Sequence, residues 1–506
     1  MPREKKLRTV VMHDPELDDM NTLIRYLLYC NQFETEGLIY SSSRFHWRGD
    51  GKGTIFHGES EHSQLGIGPI EAWRWDPGSC FMEDALEAYA LAYPNLALHA
   101  EGYPKPEELR EKLCEGNVEF PGEITKDSKG SELVKRLILD DKPGKLYLLT
   151  GTGQSTIGRA LKSIEEEYQD TNEWNQLYDK ISRKVIIQSF GDQDGVYESY
   201  IGPRWPRIEF REMATTIWGY FARKVIQPED RHYLSSSWIK ENISKVGPFG
   251  ELYMVWGDKK QMHKNDFVDF FGFAGLTAKQ LSELGYIPWY GEPEEPGSWI
   301  SEGDTSMYMN LIDNGLDAHV DASYGGWGGR NGKDIDPDGV ASKDYPSARW
   351  FGAAQRDFAA RLRWTVTPKY QEANHSPVIQ LVGVESNSMK PRQTVTLKAF
   401  ATDPDGDHLT GRWWQYEEAG TYPGKIEFLE EEKKPAFAAR TYPFVVPVPG
   451  SVDITELNKA ELEITCQFTV PADAAAGQTL HFIVEATDHA TQPLTSYKRV
   501  VLTVER

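Results

Sequence analysis

Short apolar runs recur through the first part of the chain: Thr9-Val10-Val11-Met12, Gly37-Leu38-Ile39-Tyr40, Leu96-Ala97-Leu98-His99, Leu146-Tyr147-Leu148-Leu149 and Val185-Ile186-Ile187-Gln188. Runs of this length predict buried strands, and the segments between them carry a helical period. From Asn21 to Tyr29, Leu23, Ile24, Leu27 and Leu28 share one helix face; from Ser131 to Leu139, Ser131 reads as the cap and Leu133, Val134, Leu137 and Ile138 as the buried face. Strand and helix in alternation predict an α/β domain with a mainly parallel sheet covered on both faces. Ala348 to Trp364 reads as its final helix, and Thr367 to Pro377 as a polar linker with two prolines. Beyond the linker the period changes to two, in Gln393 to Ala399, His481 to Ala486 and Arg499 to Val504, which predicts a C-terminal all-β, Ig-like antiparallel sandwich. The expected domains are residues 1–373 and 374–506, with the acidic run Glu430-Glu431-Glu432-Lys433-Lys434 as a solvated loop.

A chain of 506 residues exceeds one compact core, in keeping with two domains. Its net charge of -22 and pI near 5.1 argue against nucleic acid, whose binding draws on clustered Lys and Arg. Cys30, Cys80, Cys114 and Cys466 are widely spaced, which disfavours a zinc site or a disulfide framework. No stretch is long and apolar enough for a membrane span, and the N-terminus lacks the apolar core of a signal peptide. As written the chain is expected to be cytoplasmic, or periplasmic or secreted if a signal has been removed. The 15 Trp and 24 Tyr suit stacking on sugar rings and equally suit a large β-rich core.

The chemistry concentrates in Asp14-Pro15-Glu16-Leu17-Asp18-Asp19, between the first strand and the first helix. That position is the carboxyl edge of a strand, where open α/β sheets bind ligands. Crowded carboxylates repel unless a cation neutralises them, and hard oxygen donors suit Ca²⁺ or Mg²⁺. The alternative is an acidic helix N-terminus in which Asp18 and Asp19 complement the dipole.

The sextet resembles the Asp-x-Asp-Pro-Gly-x-Asp-Asp signature of calcium-dependent nucleoside hydrolases, with Met12 in place of the first Asp and Glu16 in place of Gly. With Glu302-Gly303-Asp304-Thr305-Ser306, Leu311-Ile312-Asp313-Asn314-Gly315-Leu316, Tyr324-Gly325-Gly326-Trp327-Gly328-Gly329-Arg330 and Arg412 to Tyr422, the whole chain resembles bacterial proteins described as cellulose-binding. These join a nucleoside-hydrolase-like domain to an Ig-like one. The resemblance implies that Asp14, Asp19, Asp304 and the Thr150 carbonyl hold Ca²⁺, that Asp14 takes a proton from the attacking water, and that Asp18 accepts a sugar hydroxyl. Related enzymes form dimers or tetramers, which leaves a homo-oligomer open.

Departures from the nucleoside-hydrolase pattern bear on the substrate. Ser43, in Ser41-Ser42-Ser43, stands where an Asn contacts ribose, and Gly303 stands where some relatives carry a His before the late Asp. Ile208-Glu209-Phe210-Arg211 loosely resembles a Glu-Phe-Asn ribose clamp, and its Arg211 would suit an acidic or differently hydroxylated sugar. Asp192-Gln193-Asp194 and His46-Trp47-Arg48 share the same rim and read equally as loop structure or substrate contact. Trp327, flanked by glycines, is the aromatic candidate for a ligand, with core packing as its rival. Trp413, Trp414, Tyr416 and Tyr422 are candidates for a carbohydrate platform, although alternation puts Trp413 and Trp414 on opposite faces. Asp403-Pro404-Asp405-Gly406-Asp407 resembles acidic turns that hold Ca²⁺ in extracellular sandwich modules, but reads first as a strand-joining turn. The reading that best unites these features is a calcium-dependent glycoside hydrolase acting on a carbohydrate. The alternatives are a non-catalytic carbohydrate-binding protein and a true nucleoside hydrolase.

Overall fold

The structure is a computed structural model that describes residues 5–505 except 59–60, 65, 76–79, 214–215, 261–276, 284–293, 384–386 and 430–460. The acidic run Glu430 to Lys434 therefore lies outside the described residues. Six strands, β1 (Leu7–His13), β2 (Phe33–Tyr40), β3 (Leu113–Glu115), β4 (Leu146–Thr150), β5 (Val185–Ser189) and β6 (Glu209–Glu212), form one sheet in the order β3-β2-β1-β4-β5-β6, with every pairing parallel. Parallel sheets are covered on both faces, which is why these strands are apolar on both sides. Val10 and Met12 of β1 face one helical layer, α3 (Lys129–Leu139), α4 (Ser155–Tyr168) and α5 (Trp174–Lys184). Val11 faces the other, α1 (Leu17–Tyr29), α2 (Phe81–His99) and α6 (Phe351–Trp364).

Two sequence expectations change in detail. Leu96 to His99 is not a strand but the last turn of α2, whose Leu91 and Leu98 face solvent and whose Pro94 lies inside the helix on an exposed position. The N-cap of α3 is Ser128 rather than Ser131: the Ser128 hydroxyl accepts the Ser131 N–H at 3.0 Å, while the Ser131 hydroxyl accepts the Ser128 N–H at 2.8 Å.

A short hairpin, β7 (Asp334–Ile335) and β8 (Ala341–Ser342), precedes α6. The C-terminal strands are β9 (Val378–Val382), β10 (Ser388–Met389), β11 (Thr394–Thr402), β12 (Leu409–Gln415), β13 (Phe428–Leu429), β14 (Glu461–Thr469), β15 (Thr479–Asp488) and β16 (Thr495–Val504). They make two four-stranded sheets, β10-β16-β15-β12 and β13-β14-β11-β9, all antiparallel except the β10–β16 pair. Trp413 lies between the sheets with its indole N–H on the Ile464 carbonyl at 3.0 Å, and Tyr422 belongs to the same core.

The two halves share a hydrophobic core. Tyr416, Ala419, Ile483 and Tyr497 cluster with Trp327, Trp350 and the α1 and α6 layer, and Trp414 packs against them with its ring 5.8 Å from that of Trp350. Trp327 is 2 % exposed, so it is a core side chain and not a sugar platform. The same burial removes Trp413, Tyr416 and Tyr422 from the proposed carbohydrate platform. Polar contacts fix the orientation: the Arg499 guanidinium donates to the Leu316 and Gly325 carbonyls at 2.6 and 2.7 Å, and the Tyr416 hydroxyl donates to buried Asp334 at 2.7 Å. The backbone N–H groups of Tyr497 and Arg499 reach the Asn314 and Gly315 carbonyls at 3.1 and 3.0 Å. Gly315 has φ +84°, and a Cβ there would lie 1.8 Å from the Tyr497 carbonyl oxygen. Gly315→Ala combines a strained backbone with a backbone collision, and is expected to lower stability by about 2 to 4 kcal/mol in denaturant unfolding.

Candidate functional site

The sheet order reverses direction between β1 and β4, and the loops that follow these two strands open the crevice that open α/β sheets use for ligands. Asp14 follows the last residue of β1. The Glu16 N–H closes on the Asp14 carbonyl at 2.8 Å, and α1 then starts at Leu17, which sets Asp18 and Asp19 in its first turn. All thirteen residues of α1 are buried, so its polar side chains must find partners inside the protein. Asn21 spans to the Met254 and Ser301 carbonyls, at 3.0 Å each. Arg25 makes a two-pronged ion pair with Glu302 at 2.5 and 2.9 Å. These contacts draw in the segment that carries Asp304, two residues after Glu302.

Asp14, Asp18, Asp19 and Asp304 are all 6 % exposed or less. His13 Nδ1 lies 2.6 Å from Asp19 Oδ1, and burial pushes the imidazole pKa down to about 3. The Asp14 N–H reaches the same oxygen at 3.3 Å. Ser301 donates to Asp18 Oδ2 at 3.2 Å, and Thr152 donates to Asp14 Oδ2 at 3.3 Å. His46 Nδ1 stands 3.4 Å from Asp14 and 3.5 Å from Glu16, and the Tyr220 hydroxyl donates to Glu16 at 3.3 Å.

Burial and mutual repulsion divide the carboxylates. Burial first, then the charges of Asp304, Asp14 and Asp18, raise Asp19 well above the usual carboxylate range; burial, then Asp18 and Asp14, do the same to Asp304. Asp18 is pushed up to about 6 by burial and the Asp14 charge. Asp14 goes the other way: burial works against its charge, but the His46 charge and hydrogen bonds with His46, Ser43 and Asp19 outweigh it and hold it low. Asp18 Oδ1, Asp304 Oδ2 and His13 Nε2 are buried with no hydrogen-bond partner. Ligand atoms of His13, Asp19 and Asp304 lie within 4.8 Å of one another, as do those of Asp14, Glu16 and His46, and those of Glu16, Asp18 and Asp19. Hard, partnerless oxygens among repelling charges fit a divalent cation such as calcium.

Glycines allow this crowding. A Cβ on Gly303 would lie 2.3 Å from Asp18 Oδ2, and one on Gly151 would lie 2.4 Å from the Asp304 carboxyl carbon. A side chain at position 303 would therefore have to displace the Asp18 carboxylate. Met12 sits in the apolar layer on the far face of β1 from His13, so its replacement of an Asp takes no carboxylate from this group. Glu16, in place of Gly, adds one.

The remaining candidates divide. Ser43 joins the group through Asp14, and also accepts the Phe45 N–H at 3.1 Å. The Thr150 carbonyl accepts the Phe190 N–H at 3.2 Å, leaving one lone pair, while its hydroxyl shares its single proton between the Thr152 and Gly153 carbonyls, each at 3.0 Å, and shapes the loop. Glu209 and Arg211 lie on β6, with β4 and β5 between it and β1, about 14 Å at ordinary strand spacing. Arg211 is committed to Glu209, Gln188 and the His319 carbonyl, at 2.6, 3.3 and 3.2 Å, none of which belongs to the carboxylate group. Asp192 and Asp194 serve loop structure, Asp192 accepting the Tyr197 and Glu198 N–H groups and Asp194 those of Ser155 and Val196. His13, Thr152 and Ser301 were not singled out from sequence. His13 alone carried a local signal, as the residue between the end of the apolar run and Asp14.

Among the described residues no helix is long and apolar enough to cross a membrane. No protein with a curated description matches the chain. A nucleoside hydrolase-related hypothetical protein from Saccharophagus degradans, described as associated with carbohydrate metabolism, has a similar structure: TM-score 0.67 at 21 % identity, covering 99 % of this chain and 100 % of that one. The crystal structure of the effector protein XOO4466 gives a TM-score of 0.34 at 9 % identity, over 72 % of this chain and 95 % of that one. The family described as cellulose-binding Sde182, nucleoside hydrolase-like domain, matches residues 8–331, and that described as cellulose-binding protein Sde0182, C-terminal domain, matches residues 394–504. The chain belongs to the cellulose-binding Sde182 family, with its nucleoside-hydrolase-like domain followed by its C-terminal domain.

Proposed function

We propose that the carboxylate cleft hydrolyses a glycosidic bond in a carbohydrate substrate with calcium as its cofactor. The observation that carries this reading is the convergence of four buried aspartates at the sheet edge, in which Asp18 Oδ1 and Asp304 Oδ2 have no hydrogen-bond partner while Asp14 Oδ2 accepts from Thr152 at 3.3 Å. A site built only to hold sugar has little need of four carboxylates buried against one another. Asp14, Asp19 and Asp304 would hold the cation, with His13, the Thr150 carbonyl and Asp18 beside them. A calcium ion so held would supply charge that acidifies a water molecule and orients sugar hydroxyls. Asp14 accepts the proton of the attacking water, steadied by Thr152 and Ser43. Asp18, with Oδ2 fixed by Ser301, keeps Oδ1 for a sugar hydroxyl.

The second reading, carbohydrate binding without turnover, is favoured by the family's description as cellulose-binding. Asp14→Asn separates the two. At saturating calcium, where the amide oxygen can still reach the cation, it is expected to lower turnover by about 10² to 10⁴ while oligosaccharide binding stays within a fewfold, as for loss of a general base. Reducing-sugar release from an oligosaccharide panel measures the first and calorimetry the second; wild-type binding without release across the panel would establish the binding reading.

Gly303→Ala drives a methyl group into Asp18, and Gly151→Ala drives one into Asp304. Each is expected to weaken calcium binding at the cleft by roughly tenfold to a hundredfold, read by calorimetric titration of metal-stripped protein. Common nucleosides are expected to be poor substrates, because Gly303 supplies no acid for a departing base and Ser43 is a shorter contact than Asn. Steady-state assays with inosine, uridine and adenosine should give kcat/KM below about 10⁴ M⁻¹s⁻¹, and a higher value would promote a true nucleoside hydrolase.

A further inference from the structure

A second group of acids lies in the C-terminal domain, away from the cleft. Asp403 to Asp407 form the turn between β11 and β12, which belong to different sheets, so the turn carries the chain across the sandwich. Asp403 Oδ1 accepts the Asp405 and Asp407 N–H groups at 2.9 and 3.0 Å, and Gly406, at φ +85°, closes the turn with its N–H on the Asp403 carbonyl at 3.3 Å. One carboxylate oxygen therefore suffices for the turn. The other, Asp403 Oδ2, is buried without a hydrogen-bond partner on a residue 3 % exposed. A turn alone gives no reason to bury an oxygen this way, since an unpaired buried carboxylate is destabilising.

The surroundings add oxygen and almost no positive charge. Ligand oxygens of Asp403, Asp405 and Asp407 lie within 4.8 Å of one another. Asp488, 1 % exposed at the end of β15, pairs in register with Leu409 just past the turn. Burial, and then neighbouring carboxylates, raise both Asp403 and Asp488 above the usual range. The Asn374 amide donates to Asp488 Oδ2 at 3.1 Å, and its own Oδ1 is buried without a partner. Among the described residues no Lys or Arg forms an ion pair with these acids. His375 meets Asp405 through its backbone N–H at 2.7 Å and its ring at 3.0 Å.

We propose that Asp403, Asp405 and Asp407, supported by Asp488 and Asn374, bind a second divalent cation of calcium type, which clamps the linker between the domains to the sandwich. The donors are all hard oxygens, the preference of calcium. Asn374 and His375 belong to the linker; His375 stacks on Tyr370 with ring centres 3.8 Å apart and meets His99 of α2 at 3.1 Å. A cation here ties the β11–β12 turn, the end of β15 and the linker into one joint. The inference stands apart from the reading of the cleft.

The test uses the full chain with the cleft disabled by Asp19→Asn. Calcium titration of this variant, and terbium luminescence sensitised by nearby Tyr370, should reveal about one remaining site, tighter than the roughly millimolar limit of weak extracellular calcium modules. Adding Asp403→Asn or Asp407→Asn should abolish that site and the calcium-dependent rise in unfolding temperature. The amide oxygen introduced by Asp403→Asn can still accept the turn's N–H groups, and the Asp407 side chain holds none of the turn's hydrogen bonds, so folding survives either change. Absence of calcium and terbium binding in the Asp19→Asn protein, or an unchanged site in both double variants, would overturn the proposal.

Discussion

The cleft depends on one buried ion pair, Arg25 with Glu302. Asp18 and Asp19 sit on the first turn of α1 and Asp304 on a separate segment, so their repulsion pushes these two parts of the chain apart. Arg25, about 9 Å further along the helix, opposes that force with a bidentate contact to Glu302, a hydrogen bond to Gln355 at 2.5 Å and a guanidinium carbon 3.8 Å from the Phe358 ring centre. The Tyr253 hydroxyl at 2.5 Å and the Thr305 hydroxyl at 3.1 Å complete the carboxylate's bonds. Breaking such a pair by removing one partner costs about 3 to 5 kcal/mol, because the other charge stays buried. The pair thus gives the four aspartates a rigid frame.

The strands β1, β2, β4 and β5 of the sheet and β11, β15 and β16 of the sandwich were legible because each domain uses its own period. Strands buried on both faces, such as β4 and β5, are continuous apolar runs, and strands of the sandwich alternate. Leu96 to His99 misled because four residues show no period, and length decides only when the run is read with α2 before it. The sextet was legible because Asp14, Asp18 and Asp19 are local in sequence, whereas Asp304 came through resemblance. Thr152 and Ser301 could not be read, since their importance arises only when β4, α1 and the segment before Asp304 meet. Trp327 shows the opposite difficulty. Its glycines do permit close approach, but what approaches is protein: a Cβ at Gly326 would meet Ala318 at 2.8 Å and one at Gly328 the Ser306 carbonyl at 2.9 Å.

Part of the aromatic wealth of the chain goes to joining its halves. Trp350, Trp414, Tyr416 and Tyr497 pack where the domains meet, with Arg349 4.8 Å from the Tyr416 ring centre and 5.4 Å from that of Trp414. The likeness to the Saccharophagus degradans protein extends over both domains, so the fold they share is the two-domain arrangement.

That shared core bears on how the chain can be divided. Ending it in the polar linker, where the period changes, would strip the cover from Trp327, Trp350 and the adjoining apolar side chains. The exposed face would be a sticky one, of the kind that drives aggregation during expression. The two segments are separate in their strand pairing and joined in their core, so a shortened version needs a redesigned surface as well as a new terminus.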